Sequence, residues 1–416
     1  MRESRNLEFK QNITNTFLKT VSAFANYDGG TILFGVDDTG KTIGLDNPVQ
    51  SCLDIETKIN DSIKPVPEYR LDINKKTSVI KLIVGEGLHK PYLYKSKAYR
   101  RSDSATIEVD NLELKRLILE GMDSSFEELP AKNQNLEFNV LKEKLQQHLQ
   151  IQSVTDDILK SLELYKAEIG INKAGELIAD NNSFPGIDIV KFGKSINIIL
   201  DRVTYEKKSI LQQYDEALYF YRKNYQYEEI KGALRTTVTQ IPEEAYREAV
   251  ANALVHRTWD INAHINIAMF PDRIEITSPG GLPKGITVDA YTKGGISILR
   301  NRIIGNLFFR LQMIERFGTG IRRINDAYGA SDKKPKFEIS ESSIRITLPV
   351  IEDESNLSVD EKKVLQIVRN SDVSSSFVAG QAGFGKSKSI KILKKLVDEG
   401  YIREIGNGRG HKYTIN

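Results

Sequence analysis

The chain has little of what several classes of protein require. Its 416 residues contain one cysteine, Cys52, which excludes an intramolecular disulfide and a thiolate zinc site and fits a reducing cytoplasm. No apolar run approaches the roughly 20 residues needed to cross a bilayer, and the charged N-terminus does not suit a signal peptide. The net charge is only +3, so any binding of nucleic acid must come from local basic patches. We therefore expect a cytoplasmic protein without a membrane partner.

Length and composition indicate several folded domains. A chain of 416 residues exceeds one ordinary core, and 40% hydrophobic with 28% charged residues argues against wholesale disorder. We predict a multidomain α/β and α+β protein, with polar, acidic segments as its boundaries. The predicted parts are an α+β domain over 1–122, a linker over 123–135, an α/β region over 136–350, a linker over 351–357 and a winged helix over 358–416.

Three acidic residues stand near the ends of the first two predicted strands. The segment 13–26 has apolar residues at three- and four-residue spacing, which predicts a helix between two strands. Glu3 and Glu8 precede this helix, and Asp38 follows the second strand. Acids from separate strands can hold a divalent cation, because hard cations take oxygen ligands. They can equally be solvated surface charges, since Glu8 points outward if Leu7 points into the core.

A basic stretch with interleaved tyrosines follows in the same predicted domain. The sequence HKPYLYKSKAYRRSDS carries cations that can neutralise phosphates and aromatic rings that can stack on bases. The alternative is a solvated strand face with the tyrosines packed beneath it. The candidate nucleic-acid contacts in this domain, with one earlier lysine, are Lys10, Lys95, Lys97, Arg100 and Arg101.

Four motifs in this domain, RESRNLEFK, VSAFANYDGG, ILFGVDDTGKTIGL and KPYLYKSKAYRRSDSAT, resemble the Schlafen AlbA-like domain. In Schlafen nucleases, three acids cut RNA with the help of a divalent metal. The resemblance implies that Glu3, Glu8 and Asp38 are catalytic and that they hold Mg²⁺ or Mn²⁺. Those nucleases carry two such lobes in one chain and this chain carries one, so a homodimer could supply the second.

A predicted helix in the middle region, EEAYREAVANALVHR, places Glu248 and Asn252 on one face. On such a face a carboxylate can activate water, and the Asn252 amide oxygen can be a ligand to Mg²⁺. Glutamate and asparagine also share helix faces in many proteins without any functional reason. Arg257, at the end of the same helix, is placed for a phosphate, whereas His256 is more simply a packing residue.

The segments that follow this helix, ITSPGGLP and FGTGIRRI, complete a resemblance to the ATP-binding fold of the gyrase, Hsp90, histidine kinase and MutL group (GHKL). Within this group, the segments resemble more closely the variant found at the C-terminus of RecG-like proteins. The resemblance implies ATP as a ligand, with phosphate at the helix that Gly318 and Gly320 open. Thr277 or Ser278 replaces the aspartate that binds adenine in that group. The residues implied to bind nucleotide are Glu248, Asn252, Thr277, Gly280, Gly281, Gly318 and Gly320.

The last segment contains GQAGFGKS, a match to the Walker A pattern at 380–387. A P-loop requires a buried strand before it and a parallel sheet after it, and only about thirty residues remain, so we reject that interpretation. Three helices and a hairpin instead predict a winged helix. Lys386, Ser387 and Lys388 then begin a recognition helix that faces the major groove, and Arg409 lies on the wing near phosphates. The alternative is a winged helix that contacts protein.

These observations support two functional hypotheses. The first is a nucleic-acid-binding regulator of the transcriptional type, which senses a nucleotide through its middle region and binds DNA as a homodimer or higher homo-oligomer. The second is a metal-dependent endoribonuclease that cuts structured RNA such as tRNA with Glu3, Glu8 and Asp38, with phage defence as a role.

Overall fold

The computed structural model describes residues 2–231, 234–283, 285–294, 298–315, 318–329, 331–351, 357–398, 400–406 and 411–415. These residues form helices and mixed sheets in several units, which confirms the predicted fold class. No helix in this part of the chain is long and apolar enough to span a bilayer.

The N-terminal part combines one four-stranded sheet with three helices. Its strands are β1 (Leu7–Lys10), β2 (Gly30–Phe34), β3 (Ile63–Lys64), β4 (Tyr69–Asn74), β5 (Val79–Val84), β6 (Leu93–Tyr94), β7 (Tyr99–Ser102) and β8 (Ala105–Glu108). Its helices are α1 (Phe17–Asn26), α2 (Pro48–Ser62) and α3 (Asn111–Gly121). The sheet order is β1-β2-β5-β4, with β1 parallel to β2 and the other pairs antiparallel, while β3 pairs with β6 and β7 with β8.

Helix α1 covers this sheet because its apolar residues recur on one face. Phe17, Val21 and Phe24 are fully buried, and the ring of Phe17 meets that of Phe34 edge to face at 5.2 Å. Gly29 follows the helix with a φ of +71°, and a Cβ there would lie 2.9 Å from a carbonyl oxygen of β5. The chain can therefore turn directly from α1 into β2.

The middle part is built on a six-stranded mixed sheet. Its strands and two small hairpins are β9 (Tyr165–Lys166), β10 (Gly170–Ile171), β11 (Ile187–Phe192), β12 (Ile199–Tyr205), β13 (Gln226–Lys231), β14 (Leu234–Thr239), β15 (Ile265–Met269), β16 (Arg273–Pro279), β17 (Lys336–Ile339) and β18 (Ser343–Pro349). Its helices are α4 (Asn139–Leu149), α5 (Asp156–Ser161), α6 (Lys173–Ile178), α7 (Ile210–Tyr225), α8 (Glu243–His256), α9 (Val288–Lys293), α10 (Arg302–Arg310) and α11 (Gly320–Ala327). The sheet order is β12-β11-β15-β16-β18-β17, and α8 packs on β16 and β18 of this sheet and against α7 and α11.

The C-terminal part has its own small core. It contains α12 (Val359–Asn370), α13 (Ser375–Ala382), α14 (Lys386–Asp398), β19 (Ile402–Ile405) and β20 (Lys412–Ile415), and the last two strands pair in antiparallel fashion. Ser358 caps α12, since its side chain accepts from the Glu361 N–H while Glu361 accepts from the Ser358 N–H. The order of elements is the one predicted. Helix α13 precedes the GFGKS turn where a P-loop needs a strand, which confirms the rejection of a P-loop.

The segment predicted as the first linker, 123–135, packs on the middle part. It contains a 3-10 turn, Phe126–Glu128, in which Glu127 is almost completely buried. The ring of Phe126 meets that of Phe184 edge to face at 6.1 Å. This segment therefore joins the N-terminal and middle parts through direct contacts, while the predicted domain limits stay predictions.

Candidate functional site

Glu8 is buried inside the N-terminal part, which contradicts the alternative that it is a solvated surface charge. Strand β1 runs parallel to β2 with Glu8 opposite Ile32, and both side chains face α1. The Glu8 carboxylate contacts the Arg101 guanidinium, lies 2.6 Å from Lys10 Nζ and accepts from Thr20 Oγ1 at 2.8 Å. Two cations and a hydroxyl therefore occupy the oxygens that a metal ion would need.

The other two candidate acids have separate surroundings. Glu3 Oε1 accepts from the backbone N–H of Phe9 at 2.8 Å, which ties the start of the chain to β1. Asp38 is exposed, and the turn around it is built by Asp37, whose carboxylate accepts from Thr39 and from the backbone N–H of Lys41. The Thr39 hydroxyl, followed by that N–H, lowers the pKa of Asp37.

The described residues contain no group of three or more His, Cys, Asp or Glu side chains that could hold a metal ion. Glu3, Glu8 and Asp38 therefore do not form a ready cation site, and their arrangement does not fit Mg²⁺ or Mn²⁺ as it stands. The catalytic and metal roles of these three acids stay predictions.

The basic stretch of the N-terminal part is largely neutralised by neighbouring acids. Arg101 is buried, where it contacts Glu8 and also donates to Thr106 Oγ1 at 2.8 Å and to the Ser4 carbonyl at 3.1 Å. Its guanidinium is committed to the fold, so the interpretation of Arg101 as a phosphate contact is wrong. Lys10 is likewise paired with Glu8.

The other basic residues of this stretch are also weaker candidates for nucleic-acid contacts than the sequence suggests. Lys97 pairs with Glu108 at 2.7 Å, and Arg100 lies 3.2 Å from a Glu113 oxygen. Lys95 contacts the face of a neighbouring tyrosine ring, with its Nζ 5.4 Å from the ring centre. The three tyrosines that could stack on bases, Tyr92, Tyr94 and Tyr99, are all buried in the core. The structure therefore agrees with the alternative interpretation, in which the tyrosines pack beneath a strand face.

In the middle part, the structure does bring the predicted nucleotide residues of α8 and α11 together. Glu248 and Asn252 lie on one face of α8, and burial raises the pKa of Glu248 against the opposing effects of Arg323 and Asn252. A Cβ at Gly320 would lie 2.3 Å from Glu248 Oε1 and 2.9 Å from Asn252 Nδ2. A side chain at the start of α11 would therefore have to displace the ends of these two side chains, which favours glycine there. Gly318, with a φ of +61°, lines the same space.

The space next to these residues is small. Two adjoining cavities, lined by Asn252, His256 and Tyr291 among others, have volumes of about 50 and 20 Å³. Pockets for small molecules usually enclose roughly 300–1,000 Å³, so each of these two cavities is smaller than such a pocket. Burial lowers the pKa of His256 to about 4, which leaves it uncharged near neutral pH. ATP as a ligand and Asn252 as a metal ligand stay predictions.

Only some of the predicted strand and loop residues of this candidate site line the small cavities. Thr277 lies on the opposite face of β16 from the cavity, where its hydroxyl accepts from Arg345 at 3.2 Å, so its placement beside adenine is wrong. The alternation of the strand directs Ser278 into the cavity instead, and its hydroxyl donates to the Ala253 carbonyl at 2.9 Å. Gly280 also lines the cavity, with a φ of +101°, whereas the Gly281 carbonyl accepts from Arg300 at 2.7 Å.

Arg257 does not reach a phosphate position, contrary to the sequence interpretation. Its side chain is completely buried, and it donates to backbone carbonyls that include those of Pro185 at 3.1 Å and Ile261 at 3.2 Å. Its guanidinium also stacks over the Trp259 ring at 4.3 Å. Burial lowers the pKa of Arg257 to about 10. Its hydrogen bonds to backbone carbonyls commit the guanidinium to joining loops to the sheet.

The C-terminal helix α14 presents the predicted contacts to solvent. Lys386, Ser387 and Lys388 are exposed in its first turn, and Lys388 Nζ lies beside an Asp360 oxygen. Two further exposed lysines, Lys391 and Lys394, were missed by the sequence analysis although they follow Ser387 at the four- and three-residue spacing of one helix face. Arg409, the predicted wing contact, lies outside the described residues.

Two segments of the chain match known families. Residues 3–110 match the family described as "Schlafen, AlbA_2", and residues 262–348 match the family described as "Putative ATP-dependent DNA helicase recG C-terminal". Both resemblances inferred from the sequence are thereby confirmed for these segments. Glu248 and Asn252 lie before the second match, and the C-terminal unit lies beyond it. No curated protein matches the chain.

Two solved structures are similar to parts or all of the chain. The crystal structure of the DIP2311 protein from Corynebacterium diphtheriae has 19% sequence identity and a TM-score of 0.48, with 99% of this chain and 92% of that chain covered. The solution structure of the N-terminal domain of a RecG-related protein from Nitrosomonas europaea has 28% identity and a TM-score of 0.19, and the match covers 24% of this chain and 78% of that chain.

Proposed function

We propose that the protein is a nucleic-acid-binding regulator that contacts double-stranded DNA through the exposed face of α14. The observation that carries the proposal is the row of lysines on this helix, which has no acidic residue before Asp398. The family matches support it, since one of the matched families is named for a DNA helicase. The regulatory role, the cytoplasmic location and DNA rather than RNA as the target belong to the proposal.

The charge of α14 differs from that of the N-terminal part because much of it has no counter-charge. Lys386, Lys391 and Lys394 have no carboxylate within salt-bridge distance among the described residues. Lys388 and Lys395 are partnered by acids of α12, Asp360 and Glu361. Cations that are not paired within the protein can release counterions from DNA phosphates, which drives binding.

The position of these lysines fits entry of α14 into a groove. Helix α14 starts one short turn after α13, and its buried face, which includes Leu393 and Leu396, packs into the C-terminal core. The opposite face therefore projects from the unit, as a recognition helix must. Because one such helix covers only one half-site, we further propose that the protein binds as a homodimer.

Titration of the full-length chain with a fluorescent duplex of mixed sequence tests the proposal. Binding should fall steeply between about 50 and 200 mM salt. The variant K391A/K394A should bind roughly tenfold or more weakly and show a salt slope less steep by about 2, because two phosphate contacts are lost. The control K142A removes the same kind of exposed charge from α4 and should leave affinity unchanged.

Removal of residues 357–416 provides a second arm of this experiment. That segment contains α12 to β20, so the shortened protein should lose most of its affinity for the duplex. Undiminished binding by this protein, or by K391A/K394A, would contradict the proposal and direct attention back to the N-terminal part.

A further inference from the structure

Strand β12 is an open edge of the six-stranded sheet, and exposed aliphatic side chains lie at its beginning. Four of them follow closely in sequence, and each is about half exposed or more: Ile196, Ile198, Ile199 and Leu200. Single exposed apolar residues are common on protein surfaces, whereas a cluster of this kind marks an interaction site. Neither α14 nor the small cavities beside Asn252 include this cluster.

The backbone of β12 lacks a partner on its outer side. On the inner side it pairs with β11, in which the Gly186 carbonyl accepts from the Ile265 N–H at 2.9 Å, so every second residue from Gly186 bonds towards β15. The partners of those residues on β12, Arg202 and Thr204, therefore direct their N–H and C=O groups away from β11. No other strand in the described part of the chain pairs with this edge.

Other sheet edges of the protein carry charges where β12 begins with aliphatic side chains. The opposite edge of the same sheet, β17, has exposed Lys336 and Glu338, and the edge strand β4 of the N-terminal sheet has exposed Arg70 and Asp72. Charged side chains on an edge oppose pairing with another chain. The first two residues of β12 have no such protection, which indicates an edge that a partner covers.

A second element without a neighbour is the hairpin of β13 and β14. In the part of the chain that the structure describes, its two strands pair only with each other, and Tyr227 and Ile230 on β13 are 47% and 70% exposed. An isolated two-stranded hairpin is marginally stable in water and gains stability from further strands or a packed face. The hairpin and the β12 edge therefore have the same deficit.

Helix α7 holds these two elements at one end of the middle part. Lys223, in its last turn, lies 3.5 Å from Asp201 on β12, and Asn224 accepts from Lys191 Nζ on β11 at 2.8 Å. Strand β13 begins at Gln226, directly after this helix. Within one chain the hairpin and β12 remain in separate sheets. A second copy can make the contact instead, and a two-fold axis at this end makes it twice.

The charges of the two elements are complementary. Lys194, in the turn before β12, is exposed and has no carboxylate within salt-bridge distance among the described residues. Glu228 on β13 is held only by Arg235, in an exposed pair at 3.0 Å. Exposed pairs contribute little free energy, so Glu228 can turn to a lysine of a second copy at small cost. The acidic strand of the hairpin therefore matches the basic turn.

We propose that a second copy of this chain is the partner, and that the β13–β14 hairpin of each copy packs on the β12 edge of the other. The added strand pairs with the outward groups of Arg202 and Thr204, and Ile230 packs on the aliphatic cluster that contains Leu200. This inference rests on the homodimer of the proposed function and names the surface that forms it. It does not involve the lysines of α14.

Sedimentation velocity of the full-length protein over a range of concentrations tests this surface. We expect a dimer for the unchanged protein. L200E and I230E, made separately, should each raise the Kd of the dimer about tenfold or more, because a carboxylate would be buried against apolar side chains. V49E is the matched control, since Val49 on α2 is 65% exposed and lies outside both elements, and this variant should dimerise as the unchanged protein does. Circular dichroism checks that each variant is folded.

Cross-linking identifies which elements meet, without a charge that could disturb the fold. Cys52 is the only cysteine of the chain, so C52S provides a background free of thiols. L200C and I230C are introduced separately into C52S and treated with a short bismaleimide, each alone and as a mixture. The mixture should yield more covalent dimer than either variant alone, because each contact joins β12 of one copy to the hairpin of the other. A mixture of V49C and I230C gives the background.

The outcomes separate this inference from the proposed function. A dimer that persists unchanged in L200E and in I230E would overturn the inference and leave the homodimer of the proposed function standing. A protein that is monomeric at every concentration would overturn both. Covalent dimer formed equally well by L200C alone would show that β12 pairs with itself, and would overturn the contact with the hairpin. DNA binding by α14 is measured separately, with K391A/K394A.

Discussion

The guanidinium of Arg101 contacts the carboxylate of Glu8 across 93 residues of sequence, with only 4% and 6% of the two side chains exposed. This ion pair fixes β1, at the start of the chain, to β7. Glu8 belongs to the motif that suggested a nuclease, and Arg101 belongs to the motif that suggested a nucleic-acid surface. The ion pair commits both residues to the stability of the fold. The N-terminal part can therefore keep the sequence pattern of the family model that it matches without presenting the Glu8 carboxylate free to a metal.

Removal of one partner of this pair should be strongly destabilising. R101M leaves the Glu8 carboxylate buried with less compensation, and we expect the free energy of unfolding to fall by about 3–5 kcal/mol. The double variant E8Q/R101M removes the buried carboxylate as well, leaves only the partly exposed Lys10 without its partner, and should lose less than R101M alone. Urea unfolding measures both, and R70M, which breaks an exposed pair with Asp72, should lose under about 1 kcal/mol.

The single variant E8Q addresses the nuclease hypothesis. Cleavage of tRNA with Mg²⁺ or Mn²⁺ by the unchanged protein, abolished in a folded E8Q protein, would return Glu8 to a catalytic role. We expect no cleavage that depends on Glu8, because its oxygens are occupied by Arg101, Lys10 and Thr20.

The sequence predicted elements and family resemblances better than it predicted the direction of individual side chains. Helix α1 and the order of elements in the C-terminal unit follow from local spacing and capping, which act within a few residues. Whether Glu8 faces water or Arg101 depends on a partner 93 residues away, which no local pattern reveals. For Thr277 and Ser278, one residue of strand alternation decides which side chain enters the cavity, and the two were indistinguishable by spacing.

Replacement of Gly320 by alanine should lower stability, because Glu248 and Asn252 must shift to make room for the added Cβ. A Cβ there would overlap Glu248 Oε1, at 2.3 Å, so G320A should lower the free energy of unfolding by about 1–3 kcal/mol. G380A is the matched control, because a Cβ at that helical position in α13 meets nothing within 4 Å and should be neutral or stabilising by up to about 1 kcal/mol. Thermal unfolding compares the two, and equal losses would show that the contact with Glu248 is unimportant.

The candidate nucleotide site should bind ATP only after it opens. Tyr291 lines both small cavities, so Y291A should join them and strengthen any stabilisation of the protein by Mg-ATP. Y219A, which removes an exposed tyrosine from α7, is the control and should respond to ATP as the unchanged protein does. The Tm with and without Mg-ATP is the measurement. A large shift in the unchanged protein that survives N252A would place ATP elsewhere.

The junction around Glu127 should make stability depend on pH. Burial raises the pKa of this carboxyl group to about 7, against the opposing effect of the N–H groups of Ile303 and Ile304. The folded protein then holds a proton that the unfolded chain releases near 4.5, so stability falls as pH rises from about 4.5 to about 7. The decrease amounts to about 3 kcal/mol at most, at 1.36 kcal/mol for each unit of difference.

The variant E127Q isolates this effect because its amide does not titrate. In the unchanged protein, the free energy of unfolding should be larger at about pH 5 than at about pH 8. In E127Q this difference should be smaller. E128Q is the control, since Lys166 and Ser125 overcome the effect of burial and lower the pKa of Glu128, which therefore titrates below this range in both states. An identical pH dependence in E127Q and the unchanged protein would mean that Glu127 stays ionised against α10. In that case the carboxylate acts as a permanent cap for the helix, and the junction is insensitive to pH in this range.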